Sequence, residues 1–352
     1  MPTLDEILRQ YPPDVRPTRI EPLGSAGGLS GAQFWRITAA RGTLIFRRWP
    51  IEHPAPDQLR FIHAVLDHAA RNGIAFIPRP LRTTAGESFV NYAGHLWELT
   101  PWLPGAADYE RAPSRKKLHA ALEALARFHV ATANFPRQAA PGFAGGSNAV
   151  TRHLARLHEL SSGGLIDLSR SITDTTWPDL APLARQFVAE LPRVVPRAIA
   201  QLEPLANAPL PLQPCIRDIW HDHVLFTGDT VTGIIDFGSV DIDTPATDIA
   251  RLLGSLASCT PLPFREGLWE GSSPRINTWD EGLAAYSAIR PLSADESRAA
   301  RALDTSGTIL AGCNWIRWIY IDGRQFENRE QVINRFRKIV RRCTEPPSGG
   351  IT

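Results

Sequence analysis

Ile216-Arg217-Asp218-Ile219-Trp220-His221-Asp222-His223-Val224-Leu225-Phe226, followed by Ile234-Ile235-Asp236-Phe237-Gly238, decides how this chain is read. Gly228-Asp229 is a turn dipeptide between two apolar runs, Val224 to Phe226 and Val231 to Ile235, so the segment predicts a hairpin. Asp218 and Asp236 stand 18 positions apart, and the hairpin would bring both carboxylates to one end of a small sheet. In such a pair one acid can orient a hydroxyl while the other holds a divalent cation on a polyphosphate. Trp220 to His223 also places two histidines at i, i+2, as some metallohydrolases do. No HExxH or third histidine cluster accompanies them, which leaves that reading without its remaining ligands.

The rest of the chain sets the bounds. Its 352 residues are 43% hydrophobic and 21% charged, with a net charge of +2, the profile of an ordinary globular protein of one large or two modest domains. That balance gives no basic excess for nucleic acid. No apolar run reaches the length of a membrane span, and MPTLDEILRQ lacks the basic and apolar regions of a signal peptide, so a cytoplasmic protein is expected. The four cysteines, Cys215, Cys259, Cys313 and Cys343, are far apart and form no CxxC pair. Lysine occurs only at 116, 117 and 338, which removes it from any site built in the first third.

Upstream, Gln33 to Ile37 and Thr43 to Trp49 predict a hairpin across Arg41-Gly42, after the Gly-rich loop Gly24 to Gly31. Pro56-Asp57 opens a helix with Leu59, Ile62, His63, Leu66 and Ala70 on one face, closed by Asn72-Gly73. Ser88 to Tyr92 and His95 to Leu99 predict a second hairpin around Ala93-Gly94, and Pro101 to Gly105 reads as a linker. Beyond it the helical period dominates, first in Leu118, Leu122, Leu125, Ala126 and His129, then within residues 176–205 and 276–342. Ala139 to Asn148 is a Gly/Ala-rich loop.

These motifs, in this order, resemble the aminoglycoside phosphotransferase and choline kinase superfamily, small-molecule relatives of protein kinases. Asp218 matches the family's catalytic Asp, Ile235-Asp236-Phe237-Gly238 its metal-binding Asp, and Asp248-Ile249-Ala250 its D-[IL]-A segment. Leu99 to Gly105 is similar to its hinge ending in L-P-G, and Ala124 to His129 to its A-L-A-x-L-H helix. The resemblance implies an α+β, two-lobed kinase-like fold, with residues 1–103 as a β-rich nucleotide lobe and 104–352 as a helical catalytic and acceptor lobe. It implies ATP as phosphoryl donor, Mg²⁺ as the metal, and the hydroxyl of a small molecule as acceptor.

Each motif then carries an expectation. Ser25, Gly27 and Gly28 of the Gly-rich loop, with Ser30, would cover the phosphates, since glycine lets the backbone approach closely. No lysine is available for the strand position that binds phosphate in this family, and Arg47 takes it, with Arg48 on the opposite strand face. A helix acid normally pairs with that cation, and Asp57 is the only acidic residue near the helix start. The hinge Thr100-Pro101-Trp102-Leu103 would hold adenine, through the Pro101 carbonyl and the Leu103 N–H.

Two departures bear on activity. Ile216 replaces the His two positions before Asp218, and His223 replaces the Asn five positions after it. Imidazole nitrogen suits Mn²⁺ better than Mg²⁺, with Asp222 as a neighbouring oxygen donor, whereas a purely structural His223 would only hydrogen-bond the Asp218 loop. Asp241 and Asp243 read as a solvated loop or a docking place for a cationic substrate. Asp248 reads as a helix cap bracing the Asp218 loop, and the Trp315 to Phe326 aromatic stripe as core. The rival to the kinase is a nucleotide-binding pseudokinase without turnover.

Overall fold

A computed structural model describes residues 4–25, 31–141, 147–259, 278–326 and 328–344. A short helix α1 (Leu4–Leu8) leads into strands β1 (Pro17–Gly24), β2 (Gln33–Ala39) and β3 (Gly42–Arg48), then helix α2 (Pro56–Arg71). Strands β4 (Val90–Tyr92) and β5 (His95–Pro101) follow, and the sheet runs β1-β2-β3-β5-β4 with every pair antiparallel. Both predicted hairpins form, the second turning on Ala93 and Gly94 at φ 50° and 77°, the left-handed pair that a tight hairpin turn requires.

Strand alternation sorts this sheet. Ile37, Leu44, Phe46, Trp97 and Leu99 face one side and are buried against Ile7, Leu8, Tyr11 and Val15. The cross-strand partners Arg47 and Glu98 lie on the other side, because directly opposed residues share a face. The helix α2 turns Leu59, Ile62, Val65 and Leu66 into the large core of the helical part. A helical period in the sequence is thus satisfied across the boundary between the two sets of elements.

After β5 come α3 (Arg115–Thr132), α4 (Asn148–Glu159), α5 (Leu165–Ser171) and α6 (Ala181–Leu202). Strand β6 (Gln213–Cys215) pairs with β9 (Asp241–Asp243), and between them lies the hairpin of β7 (Val224–Thr227) and β8 (Thr230–Ile234). Helices α7 (Ala246–Cys259), α8 (Thr278–Ile289), α9 (Ala294–Ile316) and α10 (Arg329–Thr344) complete the described chain. The aromatic stripe is core, with Trp315 ring contacts to Trp318 and Phe326 at 5.3 and 5.2 Å. Cys215, Cys313 and Cys343 are buried free thiols. The acidic run is corrected: Asp241 and Asp243 form β9, and Asp243 is fully buried, accepting from Ser147 Oγ at 2.8 Å. A backbone ladder to β6 makes that segment sheet, so Asp243 offers no charge to a docking substrate.

The linker is held to the hairpin by close backbone packing. Ala106 exchanges backbone hydrogen bonds of 2.9 Å with Phe226 in both directions, and Thr232 Oγ1 donates to the Pro104 carbonyl at 2.7 Å. Gly105 makes that approach feasible: its φ is +102°, and a Cβ there would lie 2.7 Å from the Phe226 carbonyl oxygen. Gly105→Ala should therefore cost about 1–3 kcal/mol, read as a lower urea midpoint at unchanged slope; an unaltered midpoint would show that the linker tolerates a wider spacing.

Two histidines make the packing pH-sensitive. His129 on α3 is fully buried, and burial lowers its pKa despite the opposing pull of Asp248. His153 on α4 meets Ser306 Oγ of α9 at 2.8 Å, and burial, with Arg251, Arg152 and Arg156 nearby, lowers its pKa from 6.5 to about 3. Both are neutral in the fold and take up protons when unfolded, so stability falls as pH drops below about 6.5 and keeps falling toward His153's folded value. The melting temperature should accordingly decrease between pH 7 and 5. His153→Asn, which keeps a partner for Ser306, should lose fewer degrees over that interval, and equal losses in both proteins would remove His153 as a source.

Candidate active site

The Asp218 loop follows β6 and is shaped by one buried carboxylate. Asp248, in the first turn of α7, accepts the backbone N–H of Ile216 through Oδ2 and of Arg217 through Oδ1, each at 2.6 Å. His129 Nε2 meets the same Oδ2 at 3.0 Å, and His129 Nδ1 meets the Tyr286 hydroxyl at 2.6 Å. A carboxylate only accepts, so Nε2 carries the proton and the tyrosine donates to Nδ1. Arg217 is at φ 67°, a left-handed residue without glycine's freedom, and its guanidinium reaches Asp241 at 2.7 Å. The brace expected of Asp248 is there, together with two supports: His129, which ends the Ala124 to His129 motif, and Tyr286, which no motif marks.

Asp218 emerges from this loop with its side chain 43% exposed. Its Oδ1 accepts from Trp220 Nε1 at 2.7 Å and Arg251 Nη2 at 2.8 Å, and the Arg251 guanidinium stacks on the Trp220 ring at 4.5 Å. One oxygen is thereby fixed by two donors, while the other takes no hydrogen bond among the described residues. Arg251, from the middle of α7, could not be assigned from sequence because its contact depends on how α7 packs.

Asp236 lies just past β8, 47% exposed and at φ 62°. His223 Nδ1 lies 2.9 Å from the Asp218 carbonyl, an acceptor, so the proton sits on Nδ1. Its Nε2 then faces Asp222 Oδ1 at 3.8 Å and Asp236 Oδ2 at 3.9 Å. The structural contact and the ligand role therefore use different ring nitrogens and are compatible. His223 Nε2 is thus near each carboxylate in turn, but Asp222, Asp236 and His223 do not bring all three donor atoms close enough to share one ion as they stand; among the described residues, Glu110, His221 and Cys259 do, and so do His129, Cys215 and Asp248.

Arg47 reaches this place from β3. Its guanidinium lies 3.8 Å from Asp236 Oδ1 and 3.8 Å from Glu98 Oε1, stands 3.2 Å over the Trp49 ring, and is only 12% exposed. Its Nε is buried without a hydrogen-bond partner. Burial lowers its pKa, against the pull of Glu98 and Asp236. Arg48 faces the other way, toward Trp97 at 5.8 Å. Trp49 also packs on Gly238, where a Cβ would lie 3.0 Å from its ring. Asp57, the acid near the helix start, does not meet Arg47: it is exposed and pairs with Arg60 at 2.7 Å, on the solvent side of the first turn of α2, whose other side buries Leu59.

At the hinge, Thr100 and Pro101 are still in β5, opposite Ile45 and Leu44. The Trp102 N–H is taken by the Thr43 carbonyl at 3.0 Å, and Leu103 packs where Gly233 has no side chain. Ser25 stands at the turn after β1, whereas Gly27, Gly28 and Ser30 lie outside the described residues. No helix among the described residues is long and apolar enough to cross a membrane.

The chain is similar to known proteins in both sequence and fold. The chain is 28% identical over 322 residues to a homoserine kinase of Beijerinckia indica subsp. indica, covering 90% of this chain and 87% of that one. It is also 28% identical over 274 residues to a homoserine kinase of Methylobacterium nodulans, covering 78% and 73%. An aminoglycoside phosphotransferase from Alicyclobacillus acidocaldarius subsp. acidocaldarius superposes with a TM-score of 0.62 at 17% identity, over 97% of this chain and 94% of that one. A spectinomycin phosphotransferase crystallised with ADP and spectinomycin gives 0.66 at 12% identity, over 97% and 96%. These structures share the kinase-like fold of a β-rich sheet and a helical part. The model of the phosphotransferase enzyme family matches residues 22–292; this chain belongs to that family and is a kinase with a hydroxyl acceptor.

Proposed function

We propose that the chain transfers the γ-phosphoryl group of ATP to the hydroxyl of a small polar molecule, in the class of amino alcohols that includes homoserine. The observation that supports this most is that Arg47 reaches Asp236 at 3.8 Å while His223 joins Asp236 to the Asp218 loop, with Nε2 3.9 Å from Asp236 and Nδ1 2.9 Å from the Asp218 carbonyl. Asp218 Oδ1 is held by Trp220 and Arg251, so Oδ2 would receive the hydroxyl proton and aim the oxygen for in-line attack. Arg47 would neutralise charge on the phosphates, and its planar fork suits bidentate contact with their oxygens. The covering loop with Ser25, Gly27 and Gly28 would close over the phosphates, and Thr100, Pro101 and Leu103 would seat the adenine.

Asp236 and His223 Nε2, 3.9 Å apart, would hold a divalent cation, with Asp222 joining only if its side chain turns inward; the cation would supply charge neutralisation to the phosphates. The acceptor class rests on two lines. The relatives named above are homoserine kinases, and Arg251, 2.8 Å from Asp218 Oδ1, sets a positive charge beside the oxygen that would receive the hydroxyl. A carboxylate on the acceptor would meet that guanidinium. The division into a nucleotide lobe of residues 1–103 and an acceptor lobe of 104–352 belongs to the same reading.

ADP release measured across homoserine, choline, aminoglycosides and simple sugars tests the class directly. Turnover confined to aminoglycosides or sugars would refute the amino-alcohol assignment, and nucleotide binding without turnover on any acceptor would favour a pseudokinase. Asp218→Asn should leave ATP affinity nearly unchanged while kcat falls about 10²-fold or more; a parallel loss of binding would make Asp218 a structural residue. If His223 Nε2 ligates the cation, Mn²⁺ should support faster turnover than Mg²⁺, and His223→Asn should reverse that preference. An unchanged metal ratio in the variant would leave Asp222 and Asp236 as the protein ligands.

A further inference from the structure

Arg47 has an unusual setting for a phosphate-binding cation. The residue opposite it in the β3–β5 ladder is Glu98, and the two groups share the face of the sheet turned toward Asp236. Glu98 does not stand alone. His63, from the third turn of α2, places Nε2 2.7 Å from Glu98 Oε2 and Nδ1 2.8 Å from the Ser88 hydroxyl. All three side chains are buried. The carboxylate only accepts, so His63 Nε2–H donates to it. Burial pushes the Glu98 carboxyl up, and the His63 hydrogen bond and the Arg47 charge reverse that and bring it below its ordinary value.

We propose that Glu98 and His63 are positioning residues for Arg47: the strand acid orients the guanidinium, and the helix reaches it through histidine in place of an acid of its own. The inference rests on the reading that Arg47 contacts nucleotide phosphate. Glu98 and Asp236 each lie 3.8 Å from Arg47, too long for a hydrogen bond, so the guanidinium is aimed by charge and its N–H groups are still to be satisfied. Phosphate oxygens would satisfy them without displacing Glu98. A charge pair this deeply buried gains little net stability over well-packed apolar residues. Orientation is what Glu98 offers here, and His63, fixed at both ring nitrogens, keeps the carboxylate from turning away.

The test is calorimetric titration of the full chain, in Mg²⁺, with ATP and with adenosine, which keeps the base and ribose and lacks the phosphates. Arg47→Ala should weaken ATP about tenfold or more and adenosine less than about twofold, while Arg48→Ala should alter neither. Glu98→Gln should show the same selective loss, and the Glu98→Gln, Arg47→Ala double variant should bind ATP no worse than Arg47→Ala alone. His63→Leu should reproduce a smaller selective loss that His63→Gln, which retains a donor, restores. The histidine pair carries the test if Glu98→Gln does not fold. If Arg47→Ala leaves ATP affinity intact, the phosphate reading of Arg47 fails and the positioning role with it. If Arg47→Ala weakens ATP but the Glu98 and His63 variants do not, or if they weaken adenosine equally or add fully in the Arg47→Ala background, the positioning role alone is overturned.

Discussion

Asp248 accepts two backbone N–H groups at 2.6 Å each, from Ile216 and Arg217, and the candidate site hangs from that pair. Charge-assisted hydrogen bonds of this kind contribute about 1.5–3 kcal/mol each. A non-glycine residue held in the left-handed region costs about 1–3 kcal/mol, which is the situation of Arg217 at φ 67°. The two bonds are thus large enough to hold the turn that presents Asp218. His129 and Tyr286 fix the carboxylate in turn, so the position of Asp218 is set by α3, α7 and α8 together.

The same economy operates at Asp236. Its backbone is left-handed at φ 62°, yet it borders a hairpin whose neighbours are pinned: the Ile235 N–H donates to the His223 carbonyl at 2.9 Å, and Phe237 packs on Phe128 at 5.7 Å. Strain at an exposed carboxylate persists only where the surroundings over-determine it. Trp49 adds a bridge between the sheet and this loop, lying under the Arg47 guanidinium and against Gly238. An aromatic face shields the cation from water while leaving its edge open toward Asp236, which strengthens any charge interaction made there.

The fold was readable because its signals are local. The hairpins at 33–48 and 90–101 follow from turn residues and alternation, and α2 and α3 from apolar period with proline and glycine or serine boundaries. Strand β9 is not legible in the sequence because Asp-Ile-Asp is polar by composition, while its pairing with β6 and the burial of Asp243 arise from contacts far along the chain. Asp57 is the acid nearest the helix start, but proximity in sequence says nothing about which side of the first turn a residue occupies, and it pairs with Arg60 at the surface.

By itself the sequence determined the first two hairpins, the hairpin after Asp218, helices α2 and α3, and the order of the motifs. The resemblance carried by those motifs pointed to a hydroxyl-directed kinase and to Asp218, Asp236 and Arg47, because motif order and residue identity are properties of a one-dimensional string. Only the tertiary structure decided that Glu98 faces Arg47, that Arg251 grips Asp218, and that His223 uses one nitrogen for the loop and turns the other toward Asp236. Those outcomes depend on strand register across an intervening helix and on how α7 and the hairpin pack. Such choices are made by summed long-range contacts, and no single residue type along the chain encodes them.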